Sequence, residues 1–337
     1  MKDGRSVARQ AGLLIVVFIA TFALLIGGRA LLGRASSDGI AQSSAPALSG
    51  GPMLSPAATP PRSVVPSGSA DVTVVLTGAG DIADCAALDG AKRTSDLLLR
   101  ETGSIFTVGD NAYEDGSTAN YTDCYAPTWG RVLGRTILPA AGNHDWVTAG
   151  AAGYEAYFGT TATPQGVTWY STDLGAWHVI VLDSNCDSVG GCDDASPQGQ
   201  WLRKDLADST AHCTLAIWHH PRFSSGEHGD DGHVAPFWTQ LYAAQAELII
   251  NGHDHDYERF APMDPSGKVQ RPGGLREIVV GTGGAELRTF KKQAANSEFR
   301  QAGVWGVLRL TLHPANYDWE FLPATGEIAD SGSTPCH

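Results

Sequence analysis

Five times along this chain a short apolar run ends in a polar tip bearing Asp, Asn or His, and few folds accommodate that repetition. Val72 to Leu76 alternates and then runs through Thr77-Gly78-Ala79-Gly80 to Asp81. Ser104-Ile105-Phe106-Thr107-Val108 leads to Gly109-Asp110-Asn111-Ala112-Tyr113, and Thr136-Ile137-Leu138-Pro139-Ala140 leads to Gly142-Asn143-His144-Asp145. Cys213-Thr214-Leu215-Ala216-Ile217-Trp218 is followed by His219-His220-Pro221, and Glu247-Leu248-Ile249-Ile250 by Asn251-Gly252-His253-Asp254-His255. Each run reads as a buried strand, which puts its tip on the loop leaving the C-terminal end. Open α/β sheets hold their ligands at that end.

The segments between the runs read mostly as helices. Ala91 to Glu101 carries Leu97, Leu98 and Leu99 toward the sheet and completes a βαβ unit, and a helix is expected around Tyr125 to Leu133. Trp169 to Ser171 and Trp177 to Leu182 flank Asp173-Leu174-Gly175 as an antiparallel hairpin. Ser196 is a helix cap with Pro197 at the first helical position and Trp201, Leu202 and Leu206 on one face, and Val234 to Ala246 is a further helix. The tail through Glu277 to Val280, Val307 to Leu312 and Trp319 to Phe321 reads as one strand-rich closing sheet.

The folded body is expected to begin near Asp71. Residues 1–34 read as a membrane anchor or signal segment: Lys2, Arg5 and Arg9 precede an uncharged run from Ala11 to Gly28. At about 1.5 Å per residue that run approaches a bilayer core, whereas a signal-peptide apolar region is usually about 7 to 15 residues long, so an anchor is favoured. Residues 35–70 are rich in Ser, Ala, Pro and Gly and read as a disordered linker. Both assignments put the body outside the cytoplasm, where the six cysteines would form disulfides. Six cysteines allow 15 pairings; Cys186 and Cys192, bracketing a Gly-rich loop, are the pair expected first.

Hard oxygen donors mixed with imidazoles suit Fe, Zn or Mn, and two such ions a few Å apart can clamp a phosphoryl group. The net charge of −13 argues against a nucleic-acid surface and leaves an anionic substrate in need of a local positive centre, which bound metal can supply. No Gly-x-Ser-x-Gly is present, which disfavours a serine hydrolase.

Gly80-Asp81, Gly109-Asp110-x-x-Tyr113, Gly142-Asn143-His144-Asp145, His219 and Gly252-His253-x-His255 resemble the calcineurin-like metallophosphoesterases, in particular their purple-acid-phosphatase-like branch. The resemblance spans roughly residues 71 to 325 and implies a four-layer α-β-β-α sandwich of two mixed sheets, so residues 71–337 are expected to form one catalytic domain. Tyr113 marks the branch, because most of the superfamily has Asp-x-His in its first motif and position 83 here is Ala. By resemblance, a first metal ion takes Asp81, Asp110, Tyr113 and His255, and a second takes Asp110, Asn143, His219 and His253. His144 and His228 are the implied catalytic side chains facing substrate, with His220 and His233 as competitors for the second place. Glu258 and Arg259 are candidates to orient the ligands from behind.

The resemblance implies hydrolysis of phosphate monoesters by a metal-activated hydroxide, with Fe(III) in the first site and Fe(II), Zn(II) or Mn(II) in the second. A tyrosinate on Fe(III) would give a purple band. The expected partner is a phosphorylated small molecule, with the membrane reached through the N-terminal segment. Alternatives are a phosphodiesterase acting on nucleotides or glycerophosphodiesters and a non-catalytic metal-binding module. Cys85 is expected to pair with Cys124, since each follows a motif loop on one sheet edge, which leaves Cys213 with Cys336.

Overall fold

The computed structural model describes residues 72–337, so the expected membrane or signal segment and the linker lie outside the described residues. Among the described residues no helix is long and apolar enough to cross a membrane.

The first half is built on parallel strands. β1 (Val74–Ala79), the short β2 (Ala83–Asp84), α1 (Asp89–Arg100), β3 (Ser104–Thr107) and the short β4 (Ala112–Tyr113) follow one another. β1 and β3 run parallel from Leu76 opposite Ser104 to Ala79 opposite Thr107, and β2 pairs with β4 in a separate two-stranded ribbon. That ribbon sets the first two polar tips side by side. On α1 only Leu98 of the three leucines is fully buried, while Leu97 packs at the margin of the core and Leu99 is exposed. Three consecutive residues turn about 100° apart on a helix, so they cannot all face one sheet.

An α-helix was expected around Tyr125 to Leu133; the chain instead makes α2 (Thr118–Asn120), a π turn over Tyr121–Tyr125 and a 3-10 helix over Trp129–Arg135. Pro127 lies between the last two, and its missing N–H cannot continue an α-helical ladder. β5 (Thr136–Leu138) joins β3 in parallel, and α3 (Asn143–Val147) opens within the third polar tip, with Gly142 as its N-cap. α4 (Ala152–Phe158) had no sequence expectation.

The hairpin falls where the alternation placed it, as β6 (Tyr170–Leu174) and β7 (Trp177–Val181). α5 (Pro197–Asp208) is capped by Ser196, whose Oγ accepts the Gly199 N–H at 3.0 Å. β8 (Cys213–Ile217), α6 (Ala235–Ala243), β9 (Leu248–Asn251), β10 (Tyr257–Phe260), β11 (Arg276–Val280) and β12 (Ser297–Gln301) follow, and β13 (Gly306–Leu312), β14 (Asn316–Pro323) and β15 (Asp330–Pro335) end the chain.

Two mixed sheets result, one of six strands in the order β15-β14-β13-β1-β3-β5 and one of seven in the order β12-β10-β11-β9-β8-β7-β6. The tail is therefore divided, with β11 in the larger sheet and β13 and β14 in the smaller, and does not form a single closing sheet. Alternation along the larger sheet separates two cores. Val179, Val181, Leu215, Ile217, Leu248 and Ile250 join residues of the smaller sheet in the central core. Their neighbours Ile180, Ala216, Trp218 and Ile249 pack on Leu202 of α5 and on Phe237, Trp238 and Leu241 of α6. α1 and the 3-10 helix cover the smaller sheet, which completes the α-β-β-α sandwich. Three disulfides tie it together: Cys85 with Cys124, Cys186 with Cys192 and Cys213 with Cys336, the expected pairing.

Candidate metal centre

The five polar tips meet at one edge of the sandwich. Asp81 follows β1 and Asp110 follows β3, and their loops interlock: the Asp81 N–H donates to Gly109 O at 3.0 Å and the Ile82 N–H to Asp110 O at 2.9 Å. Asp81, Asp110 and His253 have φ of 59°, 48° and 70°. Left-handed backbone at a residue other than Gly costs on the order of 1 kcal/mol or more, and it concentrates where the surroundings force a side chain into a functional aim. The packing leaves no room for side chains between the loops. A Cβ on Gly142 would lie 2.2 Å from Asp110 Oδ1, and one on Gly252 would lie 2.6 Å from Asp81 Oδ2.

Two sets of donors converge. In the first, Tyr113 Oη lies 3.0 Å from Asp81 Oδ1, 3.2 Å from Asp110 Oδ2 and 3.2 Å from His255 Nε2, and His255 Nε2 is 3.3 Å from Asp81 Oδ1. In the second, His219 Nε2 lies 3.2 Å from Asp110 Oδ2, 3.1 Å from Asn143 Oδ1 and 3.2 Å from His253 Nδ1. Asp110 Oδ2 belongs to both sets. All seven side chains expected to hold metal are thus brought together.

Contacts behind these groups fix their aim, as the partners of metal-binding imidazoles do. His219 Nδ1 faces Val108 O at 2.8 Å and His255 Nδ1 faces Glu286 O at 2.5 Å, so each Nε2 points at the donor cluster. The second oxygen of Asp81 accepts the His253 N–H at 2.9 Å, and that of Asp110 accepts the His144 N–H at 2.8 Å. Buried Asp145 accepts from the Gly142 N–H at 2.8 Å, Asn111 Nδ2 at 3.0 Å and the Tyr121 hydroxyl at 2.7 Å, clasping the second and third tips.

Protonation shows how much positive charge the cluster calls for. Burial opposes ionisation of Asp110, yet the facing imidazoles, His219 foremost, hold its carboxyl well below the usual carboxylate range. Burial likewise opposes the charged form of His219, and Asp110 overcomes it, pushing the imidazole up to about 9. Burial, with Asp110 and Asp81, raises the Tyr113 phenol well above its ordinary value, whereas burial and His219 lower His253. Within the protein alone, a proton on His219 does the work of a cation. Buried carboxylates, a phenol and imidazoles aimed at common points are a donor set suited to hard or borderline metal ions, so the residues present fit a dinuclear centre.

His144 and His228 flank the cluster. His144 Nε2 is 4.0 Å from Asp110 Oδ2, its Nδ1 is 2.6 Å from Glu114 O, and its ring sits 4.4 Å from that of Tyr113. The His228 ring lies 4.1 Å from the His253 ring, its Nε2 meets the guanidinium of Arg288, and its N–H donates to Asp254 Oδ1 at 2.8 Å. Of the two competitors, His233 faces solvent and pairs with Asp231, while His220 packs its ring 4.4 Å from His253 and 4.9 Å from His219. Glu258 accepts the Ser225 N–H at 2.7 Å and the Ser225 hydroxyl at 2.5 Å, so it braces the loop that carries His228. Arg259 pairs with Asp330 and Glu298 instead and has no part in the cluster.

Asp145, Asn111 and Arg288 carried no expectation. Asp145 and Asn111 stand inside the quoted motifs but do their work through long-range contacts. Arg288 lies on the segment after β11, without local periodicity to mark it.

Residues 75–257 match the family model for calcineurin-like phosphoesterases. The chain is 28% identical over 271 residues to purple acid phosphatase 21 of Arabidopsis thaliana, covering 72% of this chain and 58% of that protein. It is 27% identical over 192 residues to acid phosphatase A of Cryphonectria parasitica, covering 49% of this chain and 38% of that one. The chain thus spans less than two thirds of the length of these relatives. Among solved structures, the purple acid phosphatase PPD1 from yellow lupin (Lupinus luteus) seeds superposes with a TM-score of 0.66 at 19% identity, covering 80% of this chain and 55% of that chain. GAP50, the anchor in the inner membrane complex of Plasmodium, superposes with a TM-score of 0.59 at 16% identity, covering 79% and 89%. At such identities the two structures establish the fold alone. With more than half of its length matched by the family model, including all five polar tips, the chain belongs to the calcineurin-like phosphoesterases.

Proposed function

We propose that this chain is a dinuclear-metal phosphoesterase that hydrolyses phosphate monoesters in the manner of an acid phosphatase. The observation that carries this reading is the position of Asp110 Oδ2, 3.2 Å from both Tyr113 Oη and His219 Nε2, as a bridging carboxylate requires. Asp81, Asp110, Tyr113 and His255 would hold one ion, and Asp110, Asn143, His219 and His253 the other. Three anionic oxygens with one imidazole favour a trivalent ion such as Fe(III) in the first position. The more neutral second set suits Fe(II), Zn(II) or Mn(II). When bound, the two ions supply Lewis acidity toward the phosphoryl oxygens and lower the pKa of water.

The remaining chemistry is the protein's own. Glu114 O fixes the His144 ring through Nδ1, leaving Nε2 turned toward Asp110 and free, when protonated, to donate to the departing oxygen. His228, braced by Asp254 and Arg288, offers a second imidazole edge to the phosphate. GAP50, an anchor, shares this sandwich, so the fold does not by itself mean catalysis; the complete donor set favours an enzyme over a metal-holding module.

Residues 71–337 are the catalytic domain in this reading, exported and either held at the membrane by residues 1–34 or secreted after that segment is cleaved. Pairing of all six cysteines supports an oxidising compartment. The test is a panel of phosphate mono- and diesters assayed together with metal analysis of the same sample. Monoesters should be the better substrates, with two metal ions per chain; a preparation that turns over diesters alone, or binds no metal, overturns the reading.

A further inference from the structure

A cavity of about 240 Å³ opens beside the metal centre, between the loop held by the Cys186–Cys192 disulfide and the segment after His219. His220 forms the wall they share. A ring nitrogen of His220 lies within 4.8 Å of the donor atoms of His219 and His253, and Ser184 pins the residue: its Oγ accepts the His220 N–H at 3.0 Å and sits 2.7 Å from Nδ1. For a phosphoryl group held at the metal centre, the space beyond His220 is within reach of the ester substituent. The volume falls below the roughly 300–1,000 Å³ of pockets for drug-sized ligands, so it fits the alcohol part of a small ester.

The charge of the lining narrows the alcohol. Asp187 contributes an exposed carboxylate and Asp231 a second one that meets His233 Nδ1 at 2.9 Å, Ser184, Asn185 and Ser188 contribute neutral polar groups, and no Lys or Arg lines the cavity among the described residues. The flank that carries His228 is opposite in character, with Arg288 and Lys291 on Glu227 and Lys292 on Asp230. A substrate with a dianionic phosphate at the metals and a positive group a few atoms away would match this polarity; an acidic alcohol would be repelled.

We propose that this cavity is the leaving-group subsite and that it selects monoesters whose alcohol bears a cationic amino or quaternary ammonium group, amino-alcohol phosphates in short. The proposal rests on the phosphoesterase reading above. Partly exposed charge pairs are worth about threefold each, so two carboxylates should give about a tenfold preference. That preference should shrink as added salt screens it.

The test compares choline phosphate with its uncharged isostere 3,3-dimethylbutyl phosphate in the metal-loaded full chain, with p-nitrophenyl phosphate as the reference ester. A kcat/KM ratio of about ten in favour of choline phosphate, falling toward one in Asp187→Asn and in Asp231→Asn, supports the assignment. Asp187 is exposed, so its variant keeps the proposal testable if Asp231→Asn disturbs the turn it shares with His233. Saturation-transfer NMR on choline alone gives a readout independent of turnover, and transfer should weaken in Asp187→Asn. A ratio near one in the wild type while p-nitrophenyl phosphate is hydrolysed, or a ratio unmoved by both variants, overturns the subsite. No hydrolysis of any ester overturns the phosphoesterase reading, and the subsite with it.

Discussion

Tyr113 Oη lies 3.0 Å from Asp81 Oδ1, although the two residues leave different strands and stand 32 positions apart. Between two buried carboxylates, a neutral phenol is the only form the protein alone tolerates, and a trivalent cation would reverse that preference. If iron occupies the first position as proposed, Tyr113→Phe should therefore keep the fold, since the ring still packs 4.4 Å from His144, while bleaching the purple band expected of the iron-loaded protein. Absorbance spectra of the two proteins at matched iron content check this. A visible band that survives the substitution would remove Tyr113 from the metal.

In the proposed mechanism His144 acts on the departing oxygen without holding metal. His144→Ala should leave metal content unchanged and lower kcat by about 10²- to 10⁴-fold, the usual contribution of a positioned acid or base. The loss should be smaller for p-nitrophenyl phosphate, whose leaving group needs less protonation, than for an alkyl phosphate. Loss of metal alongside rate would instead give His144 a structural role.

Away from the metal centre, His178 of β7 is buried between Asp173 at 2.7 Å and Asp205 at 2.8 Å. Burial alone would lower its pKa, but the two carboxylates, Asp205 first, overcome it and raise the pKa above 6.5. A group whose folded pKa is raised stabilises the fold fully below its unfolded value, here about 6.5, and that stabilisation fades as pH climbs through the folded pKa. His178→Gln should cost about 1–3 kcal/mol at pH 6 and less at pH 9. Denaturant melts of both proteins across that range measure the difference; parallel stability curves would contradict the assignment.

The convergence of the seven proposed donors was legible because each sits at a strand end that its own apolar run announces, and a period of two carries the rest of the sandwich. Legibility failed where the partner that makes a residue buried is distant. β10 reads Tyr257-Glu258-Arg259-Phe260, with two charges that look solvent-facing until Ser225 and Asp330 satisfy them. β12, Ser297–Gln301, is a half-buried polar edge strand with no apolar alternation to reveal it. The helix expected around Tyr125 to Leu133 is a different case, since Pro127 stands inside that span and interrupts it. The sequence makes His220 a competitor for the substrate-facing place, and only its packing against Ser184 and His253 puts it in the wall of a cavity.

Asp110 carries the central claim, because a single carboxylate oxygen serves both donor sets. The most direct measurement is metal stoichiometry and turnover on the same sample of Asp110→Asn, beside the wild type. A neutral amide cannot bridge two cations as a carboxylate does, so the variant should lose at least one ion per chain and about 10³-fold or more in kcat. Retention of two ions per chain with near-normal turnover would contradict the dinuclear account.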